Sequence, residues 1–166
     1  IGAFFTLATV LPFVLIGRVG LTPTHFGFAM ILQSGSFVLG GLLTRKLLVQ
    51  IEASKLVLPG LLLATVATVV LAVLLTNFPP TVWTVMIPIS VVAFANALIM
   101  PSPSTAALAP FPHMAGAAAA MLGFMQMGGG FLGSLVAAFF PNPVMALAAI
   151  LPVMLGIGLA ARLMQR

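Results

Sequence analysis

Apolar residues run along this chain in stretches of about 20, separated by short turns rich in Gly, Pro and polar residues. The stretches do not alternate apolar with polar, so they do not read as strands of a barrel. A helix needs roughly 20 apolar residues to cross the hydrocarbon of a bilayer. Six membrane spans are therefore expected, at 1–17, 25–44, 56–76, 82–102, 114–139 and 143–162. The pattern predicts an all-α polytopic membrane protein, with 1–166 forming one six-helix unit.

Composition sharpens this. Only 4% of the 166 residues are charged and 62% are hydrophobic, with a mean hydropathy of +1.31. A soluble domain of this size cannot cover its surface with so few charges. In lipid every backbone polar group must be satisfied internally, which leaves helices as the spanning element.

The net charge of +5 does not point to nucleic acid, because six basic residues scattered over an apolar chain make no phosphate-tracking patch. Arg45, Lys46 and Lys55 lie between spans two and three, and Arg162 and Arg166 follow span six. Only Arg18 falls on the other side, so the positive-inside rule places the C-terminus in the cytoplasm. The absence of cysteine removes disulfides and Cys-ligated metals. The chain opens on Ile1 inside an apolar run with no basic leader, which fits the second half of a longer protein better than a signal peptide.

Polar side chains inside spans are costly and are expected to face other helices or a wet cavity. Gln33, Asn96, Ser102, Ser104 and Gln126 are such positions. Gln33-Ser-Gly-Ser-Phe-Val-Leu-Gly-Gly41 also aligns with Gln126-Met-Gly-Gly-Gly-Phe-Leu-Gly-Ser134 at an offset of 93 residues. That equates span two with span five. Three spans per copy is an odd number, so the copies form a 3+3 inverted repeat, a pattern common in secondary transporters.

The stretch from Asn96 to Gln126 resembles the Bcr/CflA-type drug-resistance transporters of the major facilitator superfamily. The resemblance rests on Pro101, Ala107-Leu108-Ala109-Pro110-Phe111, Ala115-Gly116, Gly123 and Gln126. Pro12-Phe13-Val14, Gly20-Leu21-Thr22-Pro23 and Phe26-Gly27 look like the family's seventh helix, outer loop and eighth helix. The chain departs from the pattern at Leu11, where Ser is expected, and at the alanines 117–120. The segment Gly41 to Lys46 looks like a degraded copy of the superfamily's cytoplasmic loop, without its Asp. The resemblance implies helices seven to twelve of twelve in a facilitator fold. It further implies a bacterial inner-membrane location and efflux of drugs or small metabolites by proton antiport.

The residues themselves give little to an enzyme. Glu52 is the one acid and is expected to pair with Lys55 at a helix surface. No Asp supports a triad, and His25 and His113 are expected as solvated loop residues. No metal or cofactor is expected. Gln33, Asn96 and Gln126 are the candidate cavity amides, with Phe13, Phe94, Met100 and Met125 as adaptable apolar wall. Gly35, Gly40, Gly128, Gly129 and Gly133 make smooth helix faces, either between the two halves or within this one. Pro88, Pro101 and Pro103 are expected to bend span four.

The expected function is transport by alternating access, as the second half of a multidrug or small-metabolite antiporter. Its partners would be lipid, an N-terminal six-helix half, a small amphipathic substrate and protons. The alternatives are a self-pairing six-helix protein and a membrane scaffold that transports nothing.

Overall fold

A computed structural model of the protein describes residues 2–102, 110 and 112–164. Among them the secondary structure is helical: α1 (Gly2–Leu15), α2 (Pro23–Leu47), α3 (Ala53–Asn77), α4 (Val82–Ile99), α5 (Ala115–Ala138) and α6 (Pro143–Met164), with a single 3-10 turn at Pro112–Met114. Helices α2 to α6 are long and apolar enough to cross a membrane. The sixth expected span is the exception. Helix α1 has 14 described residues, about 21 Å at 1.5 Å per residue, against a hydrocarbon core of about 30 Å. Pro103 and Arg166 lie outside the described residues.

Local sequence explains the helix starts. Thr22 caps α2 by accepting from the His25 backbone N–H, with Pro23 at the first helical position. Thr81 and Thr84 cap α4 reciprocally. Asn142 Oδ1 accepts from Val144 N at the start of α6. Pro12, Pro59, Pro88 and Pro152 all lie inside helices that continue through them.

Apart from Arg18, the described basic residues lie at one end of the unit. Arg45 and Lys46 close α2, and Arg162 on the last turn of α6 donates from Nη2 to the Ser54 carbonyl at the start of α3, 3.2 Å away. The expected Glu52–Lys55 pair does not form. Glu52 sits at the N-cap position of α3, and its Oε2 instead takes the Ser54 hydroxyl at 3.4 Å. At a solvated surface an i,i+3 pair gains too little to hold two long side chains together.

Helix α3 packs extensively on α4, its neighbour in sequence, and the other large contacts join helices distant in the chain. Helix α2 packs on α4, and α5 packs on α1, while α3 and α6 pack on each other. Leu7, Leu11 and Leu15 of α1 are completely buried, facing Leu71 of α3, Met86 and Ile89 of α4, and Leu147 and Leu151 of α6. Lipid is as apolar as leucine, so burying these side chains does not by itself hold helices together in a bilayer; close backbone contact does.

Glycines provide that contact, Gly40 and Gly133 among them. At Gly40 on α2, an added Cβ would lie 2.6 Å from the Phe94 carbonyl oxygen and 3.0 Å from the Ala97 Cβ of α4. At Gly133 on α5, it would collide with the Thr6 hydroxyl of α1 and lie 3.1 Å from the Met154 sulfur of α6. Each contact carries a threonine shared between its own helix and the neighbour. Thr44 Oγ1 lies 2.8 Å from the Gly40 carbonyl and 3.2 Å from that of Ala97. Thr6 Oγ1 lies 3.1 Å from the Gly2 carbonyl and 3.3 Å from that of Gly130.

Overpacking a tight core costs about 1–3 kcal/mol. Gly40→Ala should therefore lower stability by about that amount in detergent unfolding by urea or heat. Gly35→Ala, whose Cβ would meet nothing within 4 Å, should leave the midpoint in place.

Candidate functional site

Helix α1 stands between α2 and α5 with an open groove on each side. On the α5 side, Phe5 and Thr9 face Met127, Phe131 and Ser134. Here the backbones come close: a Cβ on Gly2 would lie 3.1 Å from the Gly129 carbonyl carbon, and one on Gly130 would strike the Phe5 Cβ. Thr6 meets Gly133 further along, so α1 and α5 run parallel. Ser134 turns its hydroxyl back to the Gly130 carbonyl at 2.8 Å, which leaves that groove without an unsatisfied polar group from it.

The α2 side differs. A groove of about 400 Å³ lies between Phe4 and Ala8 of α1 and Met30, Gln33, Ser34 and Phe37 of α2. Gln33 is 3% exposed, and its Oε1 accepts no hydrogen bond. A buried amide oxygen left unpaired costs about 1–3 kcal/mol. Ser90 Oγ on α4 is buried and unpaired as well. By contrast Thr6, Thr44 and Thr68, which are buried to a similar degree, all have backbone acceptors.

The other residues expected at a cavity are not brought to this groove. Asn96 on α4 and Gln126 on α5 are each half-buried, away from Gln33. Phe13 is 64% exposed and borders a separate groove with Ser134, Ala137 and Phe140. Phe94 gives its backbone to the Gly40 contact. Met100 follows α4, and Met125 lies exposed on α5. The smooth-face glycines divide. Gly40, Gly129 and Gly133 pack within the unit, whereas Gly35 and Gly128 have open space where a side chain would go. Pro88 is buried in α4, and Pro101 follows that helix.

Sequence reasoning missed Thr6 and Thr44, though it set Gly130 on the smooth strip of α5. A signal was present: Gly2–Thr6, Gly40–Thr44 and Gly130–Ser134 each set a hydroxyl four residues after a glycine. That spacing places a small residue and a back-bonding hydroxyl on one helix face. His25 holds the start of α2, with Nδ1 2.8 Å from Thr22 Oγ1, and His113 is exposed in the 3-10 turn. Among the described residues no three His, Asp or Glu side chains gather at one point.

No protein family, curated protein or solved structure matches this chain.

An unpaired group is best replaced by an apolar one. Gln33→Leu should leave the thermal unfolding midpoint in detergent unchanged or raise it, by up to about 1–3 kcal/mol in stability. A fall of that size would mean that the amide holds the helices together.

Proposed function

We propose that this chain is half of a secondary transporter, and that a second six-helix unit docks on the outer faces of α2 and α5. The observation that carries the reading is an inversion. Helices α2 and α5 are the least apolar of the five spanning helices, yet only 11% of each is buried, against 28%, 44% and 61% in the others. A helix face turned to lipid should be strongly apolar, as on α3, where Val66, Val69, Val70 and Val73 are exposed. Helices that are both less apolar and less covered fit a protein partner. Gly35 and Gly128, with open space around them, suit the close approach of another helix.

The packing supports the inverted repeat as well. Exchanging the first three helices with the last three turns the α2–α4 pair into the α5–α1 pair, and the α3–α6 pair into itself. The offset of 93 residues takes Gly40 onto Gly133, both glycines pressed against a neighbouring helix, and Thr44 onto the buried Ala137. Both pairs run parallel: Phe28 lies by Trp83 and Gly40 by Phe94, as Gly2 lies by Gly129 and Thr6 by Gly133. Half-units of this symmetry move against each other in alternating access. Together with the resemblance to the Bcr/CflA drug-resistance transporters, this favours efflux of small amphipathic molecules coupled to protons. Glu52, the single acid, sits at the N-cap position of α3, outside the spans. In this reading the coupling proton is carried by the partner unit.

Gly128→Leu should leave this unit folded and weaken its association with the second unit at least about tenfold, close to 1.4 kcal/mol. Energy transfer between labelled units in nanodiscs measures this, with Val69→Trp on the lipid-facing side as the unaffected control. Association of two copies of this chain alone would favour the self-pairing form. Transport is tested on the full-length protein in proteoliposomes under an imposed pH gradient, with a fluorescent hydrophobic amine. Collapse of the gradient with proton flux coupled to the amine is expected; amine movement indifferent to the gradient would overturn antiport.

A further inference from the structure

The bare face of α3 ends in a charge. Leu62, Val66, Val69 and Val73 are exposed and follow one another at helical spacing, so they form one column along the helix. Two turns back from Leu62 the same column reaches Lys55, exposed in the first turn of α3. Arg162, on the last turn of α6, comes to the same end. Its Nη2 donates to the carbonyl of Ser54, the residue before Lys55, at 3.2 Å. The two helices run antiparallel here, with Gly158 beside Leu61 as Arg162 is beside Ser54. The bond to Ser54 holds the guanidinium in place, so little rotamer freedom is left to lose when it takes a second partner. Its Nε is buried and out of reach of any guest, which leaves Nη1, with no hydrogen bond, as the donor on offer.

We propose that this end of the α3–α6 pair binds an anionic phospholipid. Its phosphate is held by Lys55 and by Nη1 of Arg162, and one acyl chain lies along the column from Leu62 to Val73. The proposal stands apart from the transport reading. Charge and continuity select a lipid. The two cations lie at the ends of spanning helices, at the depth of lipid headgroups, and the apolar column begins where they stop. A soluble phosphate would meet the same cations and leave the column unused. Glu52 narrows the choice of headgroup. Its Oε2 takes the Ser54 hydroxyl at 3.4 Å, so its carboxylate stands at the same helix start. Lys55 and Arg162 against Glu52 leave one net positive charge, which a phosphodiester with its single negative charge balances. A zwitterionic headgroup brings its own cation with the phosphate and gains less.

The test is native mass spectrometry of the full chain released from detergent micelles. The micelles are titrated with phosphatidylglycerol or with phosphatidylcholine of the same acyl chains. Phosphatidylglycerol is expected to fill one site at least about fivefold more tightly than phosphatidylcholine, the scale of one cation at a lipid surface. Lys55→Gln and Arg162→Gln should each weaken phosphatidylglycerol by about the same factor. Lys55 is exposed, so its variant keeps the test valid if Arg162→Gln fails to fold. Glu52→Gln should tighten binding by removing the opposing charge. Arg45→Gln takes the same charge from the end of α2, and Arg18→Gln takes it from the opposite end of the unit; both should leave the affinity in place. Equal binding of the two lipids, or an affinity for phosphatidylglycerol that survives Lys55→Gln, would overturn the proposal. A loss with Arg45→Gln as large as with Lys55→Gln would overturn it too, as diffuse attraction to the whole basic end. Glycerol 3-phosphate bound as tightly as the lipid would replace the lipid site with one for a soluble anion.

Discussion

Close contact between helix backbones is the constraint on which the rest of this molecule depends. In a bilayer, leucine against leucine is no better than leucine against lipid, so helices are held by van der Waals contact at short range and by interhelical hydrogen bonds. Here both are concentrated at two places, where α2 meets α4 at Gly40 and α5 meets α1 at Gly133. The threonines follow from the same closeness. Only when two backbones approach can one hydroxyl lie within 3.3 Å of a carbonyl on each, as Thr6 and Thr44 do. The leucine layer at the centre then fills the space these contacts define, with α1 and α4 innermost.

That arrangement leaves an unbalanced surface. Helices α3 and α6 pair with each other and turn Val66, Val70, Val153 and Ile157 outward, which is what lipid accepts. Helix α2 spends one narrow glycine face on α4, and α5 one on α1 and the edge of α6, and both leave the rest bare. The bare faces mix large apolar residues, such as Phe28, Leu39, Phe124 and Phe131, with glycine and serine. Lipid gains nothing from the glycines. A second helical unit does, because each missing side chain shortens the distance between axes.

Much of the fold was legible because lipid imposes length. The apolar runs gave α2 to α6 to within a few residues, and Thr22-Pro23 and Thr81 marked helix starts. The Gln-Gly alignment also paired Gly40 with Gly133, and each is pressed against a neighbouring helix. What could not be read was which face of each glycine-rich helix turned inward. Gly35 and Gly40 lie five residues apart on one helix, and one is in open space while the other is pressed against Phe94. Nor could the repeat say that its two glutamines would part company. Gln33 is buried beside a groove and Gln126 is half-buried away from it.

The reason for that divergence lies four residues along the helix. Where α5 has Gly130, α2 has Phe37 at the equivalent position. Gly130 lets the Phe5 Cβ lie against the α5 backbone, so α1 and α5 close on each other and Thr6 bonds across the gap. Phe37 instead lines the space between α2 and α1, which stays open beside the glutamine. Two similar sequences thus give close backbone contact with α1 on one side, and on the other a groove beside a buried, unpaired amide oxygen. Packing alone gives no reason to keep a polar atom there, since a leucine of similar volume would avoid the desolvation cost.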